Sequence, residues 1–216
     1  MYPYNQRKVS YFDRRKKDVE RTKRVSKKID EILRAEEILF IRNYDAKLQK
    51  KGVDLITFPT GVPRNVDEKY AINYWNKNLK TYSFEIYSKN NINENGWFTS
   101  DNSITQDYML VWLKSTDESL ENIYQLEMAF IEKDAIVNYL AENGVDLNTV
   151  LDEFFENCTE KENKKEMIIN RDIKVVQSLK FLEAPVNIII SKDVLLSLSY
   201  CSVNKHFSVN TKQKTA

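Results

Sequence analysis

The sequence predicts an α/β fold, a mixed sheet flanked by helices. Three observations predict it. A run of three short β-branched and aromatic segments lies between Val53 and Tyr87, a basic segment of helical periodicity precedes them, and helix and strand patterns alternate after Lys114. The chain has 216 residues, enough for one medium domain. Its hydrophobic content of 42% and aromatic content of 12% suffice for a packed core.

The first element runs from Arg7 to about Leu33. Val19, Val25, Ile29, Ile32 and Leu33 recur at loosely helical spacing, so the segment reads as one amphipathic helix. Its other positions are strongly basic, with Arg14, Arg15, Lys16, Lys17, Arg21, Lys23, Arg24, Lys27 and Lys28 among them. The functional reading is a helix that contacts phosphates; the plainer one is a solvated face. Glu36 or Glu37 at its end is a further candidate metal ligand.

Val53 to Phe58 reads as the first strand, ended by Pro59-Thr60-Gly61-Val62-Pro63. Asn65 to Ile72 reads as the second, and Thr81 to Tyr87, after the polar residues Asn76, Lys77 and Asn78, as the third. Short loops join antiparallel neighbours, so a meander is expected. Side chains alternate between the faces of a strand, which places Asp67 and Lys69 on one face and Glu68 and Tyr70 on the other. With turns centred near Thr60-Gly61 and Asn76-Lys77, Asp54 lies opposite Asp67 and Glu85 opposite Lys69.

Asp54, Asp67, Lys69 and Glu85 therefore converge in the simplest register. An acid in the buried part of a strand is costly unless it meets a cation. Two or three carboxylates from neighbouring strands supply half a shell for Mg²⁺, or Mn²⁺, and leave room for water and a phosphate oxygen. A lysine beside them orients water or stabilises developing negative charge. The plainer reading is a half-exposed meander whose charges are solvated or paired across strands.

The order Asp54, hairpin, Asp67-Glu68-Lys69 resembles the PD-(D/E)XK superfamily, the restriction-endonuclease-like nucleases. Gln49-x-x-Gly52-x-Asp54 also looks like the entry to the first catalytic strand in some members, and the resemblance spans roughly Ile29 to Lys114. Val53 stands in the place of the motif's Pro, and no Gln-x-x-x-Tyr element follows, which disfavours the recombination-type exonucleases. The resemblance implies a restriction-endonuclease-like sheet, a catalytic set of Asp54, Asp67 and Lys69, and metal ligation by Asp54, Asp67 and the Glu68 carbonyl. Glu68 also offers a second acid within the tripeptide, and Glu85 completes the candidate metal set. Gln49, Lys50, Lys51, Arg64 and Lys89 are candidates to hold substrate around the cleft.

Beyond this region, Asp107 to Lys114 reads as a buried strand, with Trp97 and Trp112 as core residues. From Thr116 to Asp172 the balance turns acidic, which gives a surface that faces away from nucleic acid and suits a protein partner. Ile131 to Asn143 and Leu147 to Asn157 read as helices, and Lys161 to Glu166 as a charged loop. Val175 to Phe181 and Val186 to Ile190 read as a strand pair, and Ser191 to Leu198 as a helix capped by Ser191. One domain over residues 1–200 is expected, with a polar tail over 201–216.

Lys and Arg total 33 against 32 Asp and Glu, so net charge alone names no partner. One histidine, His206, rules out sites built on paired histidines. Two cysteines, Cys158 and Cys201, fit a reducing compartment. No apolar run reaches the length of a signal peptide or membrane span, so a cytoplasmic protein is expected. The expected function is Mg²⁺-dependent hydrolysis of DNA phosphodiesters, with a homodimer allowed. The alternatives are an RNA-directed nuclease and a catalytically inactive interaction protein of the same fold.

Overall fold

A computed structural model describes residues 11–88, 95–161, 163–180 and 184–208. In chain order the elements are α1 (Tyr11–Ala35), β1 (Phe40–Arg42), α2 (Ala46–Gln49), β2 (Leu55–Thr57), β3 (Arg64–Tyr70), β4 (Thr81–Tyr87), β5 (Asp107–Ser115) and β6 (Ile123–Glu132). They continue with α3 (Lys133–Glu142), α4 (Val150–Asn157), β7 (Thr159–Lys161), β8 (Lys164–Ile168), β9 (Ile173–Ser178), β10 (Val186–Ser191), α5 (Lys192–Leu198) and β11 (Cys201–His206).

The fold is mixed α/β, with two sheets flanked by helices. The first sheet has the order β1-β2-β3-β5-β6-β11 and the second β4-β10-β9-β8-β7. Every pairing is antiparallel except β3 with β5. A parallel neighbour needs a long crossover, and residues 71–106 supply it, running through the second sheet by way of β4.

Two cores follow from this layering. One face of the first sheet, through Leu55, Val66, Met109, Val111, Leu126 and Met128, packs on Val25, Ile29, Ile32 and Leu33 of α1. The other face, through Tyr108, Leu110, Trp112, Ala129 and Ile131, packs on Tyr82, Phe84, Ile86, Val175, Ile188 and Ile190 of the second sheet. Ile136 and Leu140 of α3, Phe154 of α4 and Leu195 of α5 close the second core. β5 is covered on both faces, which is why Asp-Tyr-Met-Leu-Val-Trp-Leu is a nearly continuous apolar run. Ser191 caps α5, its hydroxyl accepting the Val194 N–H at 3.4 Å.

Several expectations are corrected. The third strand has the expected bounds, but it pairs with β10 and not with β3. The expected loop over 161–166 contains strand residues of the β7–β8 pair. Cys201 to His206 is not tail but an edge strand on β6, and His206 sits on it. Trp97 and Phe98 lie in a turn, not a strand. Trp112 is buried as expected. Among the described residues no helix is long and apolar enough to cross a membrane.

Candidate active site

The β2–β3 hairpin builds the site. Leu55 pairs with Val66, Ile56 with Asn65 and Thr57 with Arg64, so the turn is centred between Thr60 and Gly61. One residue beyond the Leu55–Val66 pair stand Asp54 and Asp67. β2 ends there, which leaves a β3 amide without a ladder partner. The Asp54 side chain takes its place, accepting the Glu68 N–H at 3.0 Å through Oδ2.

Asp67 points the other way from Glu68, into the gap between the two sheets. It is only 5% exposed. Its carboxylate lies 2.8 Å from Lys69 Nζ. Burial raises the Asp67 pKa to about 6; the Lys69 ammonium pulls it down, and the Asp54 carboxyl, within hydrogen-bonding reach, pushes it up again. Two acids and one lysine thus share a point, and one of the acids holds its charge against a net penalty.

The surroundings are closely fitted. Gly52 has φ +77°, and a Cβ there would lie 2.2 Å from Thr105 Oγ1 and 3.5 Å from Asp67 Oδ2. The Thr105 hydroxyl donates to the Gly52 carbonyl at 2.8 Å, and the Ile104 N–H to the Lys51 carbonyl at 2.9 Å. The segment before β5 therefore pins the loop that carries Asp54. Lys69 Nζ lies 4.4 Å from the Trp97 ring centroid. Lys133, which opens α3, carries a pKa lowered by burial and held up by Asp134 and Asp67. Tyr108 stands beside Asp67 in the β3–β5 register, and its buried hydroxyl has no hydrogen-bond partner among the described residues.

Sequence reasoning missed Lys133, Tyr108 and Thr105. They reach the site only through the crossover and the parallel β3–β5 pairing.

The other expected residues separate from this point. The Glu68 carboxylate lies on the α1 face, bonded to Arg42 and the Tyr70 hydroxyl. Arg42 also bonds Asp30, at 2.7 Å through Nε. The Glu68 side chain is therefore held in a buried ion network and does not join the Asp67 carboxylate. Glu85 stands on β4 of the second sheet, opposite Asn187, between the buried Phe84 and Ile86 and facing away from them. It does not lie opposite Lys69.

Arg64 binds Asp107 with both arms, at 2.7 and 2.6 Å, on the α1 face. The Asp107 side chain is 0% exposed, so Arg64 is engaged by a buried acid. Glu36 pairs with Lys205, away from the site.

Gln49, Lys50 and Lys51 are exposed around the end of α2, and Gln49 Nε2 donates to the Asn43 carbonyl at 3.1 Å. Lys89 lies outside the described residues.

Among the described residues no group of three or more His, Cys, Asp or Glu side chains gathers around one point. A divalent ion here would take two carboxylates, with backbone oxygen and water completing its shell. That donor set fits Mg²⁺, which binds protein through one or two carboxylates and keeps several waters. In comparison with known proteins, no family model, no curated protein and no solved structure matches the chain.

Proposed function

We propose that the protein is a metal-dependent nuclease of the restriction-endonuclease-like class that hydrolyses DNA phosphodiesters, with Asp54, Asp67 and Lys69 at its centre. The observation that carries this reading is the meeting of the Asp54 and Asp67 carboxyls at the open end of the hairpin, with Lys69 2.8 Å from Asp67. A purely structural role explains it poorly. Asp67 is destabilised in its charged form even with Lys69 beside it, and an apolar residue would cost less at that position.

Asp54 and Asp67 would hold Mg²⁺, and the Glu68 carbonyl would join them. When bound, the ion supplies charge neutralisation at the phosphate and an acidified water. Asp54 keeps its orientation through the Glu68 N–H. Lys69 releases Asp67 and turns its donors to the attacking water and to the phosphate oxygens that gain charge. Trp97 holds the Lys69 ammonium over its ring and limits where it swings. Gly52, having no side chain, makes room for the Thr105 hydroxyl beside Asp67.

The test is cleavage of labelled DNA by purified protein in Mg²⁺ or Mn²⁺. The reading requires cleavage that chelator abolishes and that Asp67→Asn, Asp54→Asn and Lys69→Met each reduce by at least about 100-fold. Cleavage of RNA alone would assign the substrate to RNA. No cleavage of any nucleic acid by folded protein would leave a non-catalytic interaction protein as the better reading.

A further inference from the structure

Resting on the nuclease reading above, we infer that the cleft between α1 and the β1–α2 segment is the channel that leads a single, unpaired DNA strand to Asp54. The cleft has a volume of about 430 Å³. Its lining includes Lys23, Ser26 and Lys27 of α1, Tyr44 and Gln49 of the β1–α2 segment, and Asp54.

The charges of α1 divide into two groups. Lys17 pairs with Glu118 at 2.8 Å, and Arg24 pairs with Glu121 at 3.2 Å and donates to the Ser119 carbonyl. Arg21 is buried on Asp18, Asn73 and the Ile72 carbonyl. These cations fasten the helix to the β5–β6 connection and to the turn after β3. Lys23 and Lys27 differ. They are exposed, stand one helical turn apart, and show no ion pair among the described residues. The basic stretch thus retains two unengaged cations at the point where the helix borders the cleft.

Arg42 in the lining is taken up by two carboxylates, Asp30 and Glu68, so the cations left to meet phosphates are Lys23 and Lys27. In the same lining Tyr44 is 84% exposed, a large ring with no packing reason to sit in water. Two lysines for successive phosphates and a free ring for one base are the elements by which proteins hold single strands. A duplex keeps its bases stacked and its phosphates on a convex surface. It would meet the rim of this concave site but offer no base to Tyr44. An unpaired strand satisfies both and brings its backbone to Asp54.

The experiment is fluorescence anisotropy in EDTA, with a labelled oligothymidylate and a duplex of the same length, over a range of salt. The oligothymidylate should bind more tightly than the duplex. K23Q/K27Q should flatten the log K against log[salt] slope by about 1.4, at about 0.7 per phosphate on a single strand. Tyr44→Ala should weaken oligothymidylate binding roughly tenfold, and Tyr44→Phe should restore it. K17Q/R24Q, whose charges are already paired, should leave the slope unchanged.

Equal or tighter duplex binding, or an unchanged slope in K23Q/K27Q, overturns the channel. Because no metal is present, the two readings fail separately. Single-strand binding without cleavage would remove the nuclease site and keep the channel. Cleavage that ignores Lys23, Lys27 and Tyr44 would do the reverse.

Discussion

The Lys69 ammonium and the Asp67 carboxylate stand 2.8 Å apart on one face of β3, yet the pairing does not return Asp67 to an ordinary carboxylate. Burial and the neighbouring Asp54 outweigh the lysine, and the pKa stays at about 6. An acid in this condition is costly to keep charged in the fold.

Stability should therefore fall as Asp67 ionises. A carboxyl whose folded pKa is raised contributes stability that is fully present below its ordinary range, near 3.8, and is lost as pH rises through about 6. Asp67→Asn removes that loss. At pH 8 the variant should be more stable than the parent by up to roughly 2–3 kcal/mol, a rise of several degrees in Tm; at pH 4 the two should coincide. Thermal unfolding at the two pH values measures it. A variant less stable at pH 8 would mean that Lys69 overcompensates the burial.

Glu68→Gln separates the two acids of the tripeptide. The Glu68 carboxylate belongs to the Arg42–Asp30 network, so its loss should cost about 2–4 kcal/mol by leaving Arg42 half paired. Divalent-ion affinity should be unchanged. Urea unfolding and ion titration on the same variant check both halves.

Arg64→Gln tests whether Arg64 serves structure or substrate. Asp107 is fully buried, and the Tyr200 hydroxyl at 3.0 Å would be its remaining named partner. A loss of about 3–5 kcal/mol is expected in urea unfolding. The salt dependence of DNA binding should not move.

Gly52→Ala should damage the site through the backbone. The alanine must keep φ +77° and place its Cβ against Thr105 Oγ1. The strain is about 1–3 kcal/mol, and the loop carrying Asp54 must shift to relieve it. Cleavage should fall by more than stability explains. Thr105→Ser in the same background should not restore it, because the clashing hydroxyl remains.

The hairpin was readable because its turn is short and punctuated. Pro59, Gly61 and Pro63 place the reversal, and alternation then sorts Asp67 and Lys69 from Glu68 and Tyr70. β4 shows where such reasoning stops. Its apolar alternation gives its bounds, but nothing in Thr81 to Tyr87 says which sheet receives it, and the short-loop rule pointed to β3. The parallel β3–β5 pair, and with it Tyr108 and Lys133, depends on that choice. β11 was hidden because an edge strand exposes Ser202 and Asn204 on alternate positions and so resembles a polar tail. The β7–β8 pair was hidden because charge occupies both of its faces, Lys164 and Glu166 on one and Glu160 and Lys165 on the other.

Whether Asp54 and Asp67 hold one divalent ion is measured most directly by titrating the purified protein with Mn²⁺ and following the free-ion electron paramagnetic resonance signal. One Mn²⁺ per chain is expected, displaced by Mg²⁺, with affinity that rises with pH through about 6 and is lost in both Asp54→Asn and Asp67→Asn. Folded protein that binds no Mn²⁺, or that binds it equally well in both variants, would contradict a shared metal site.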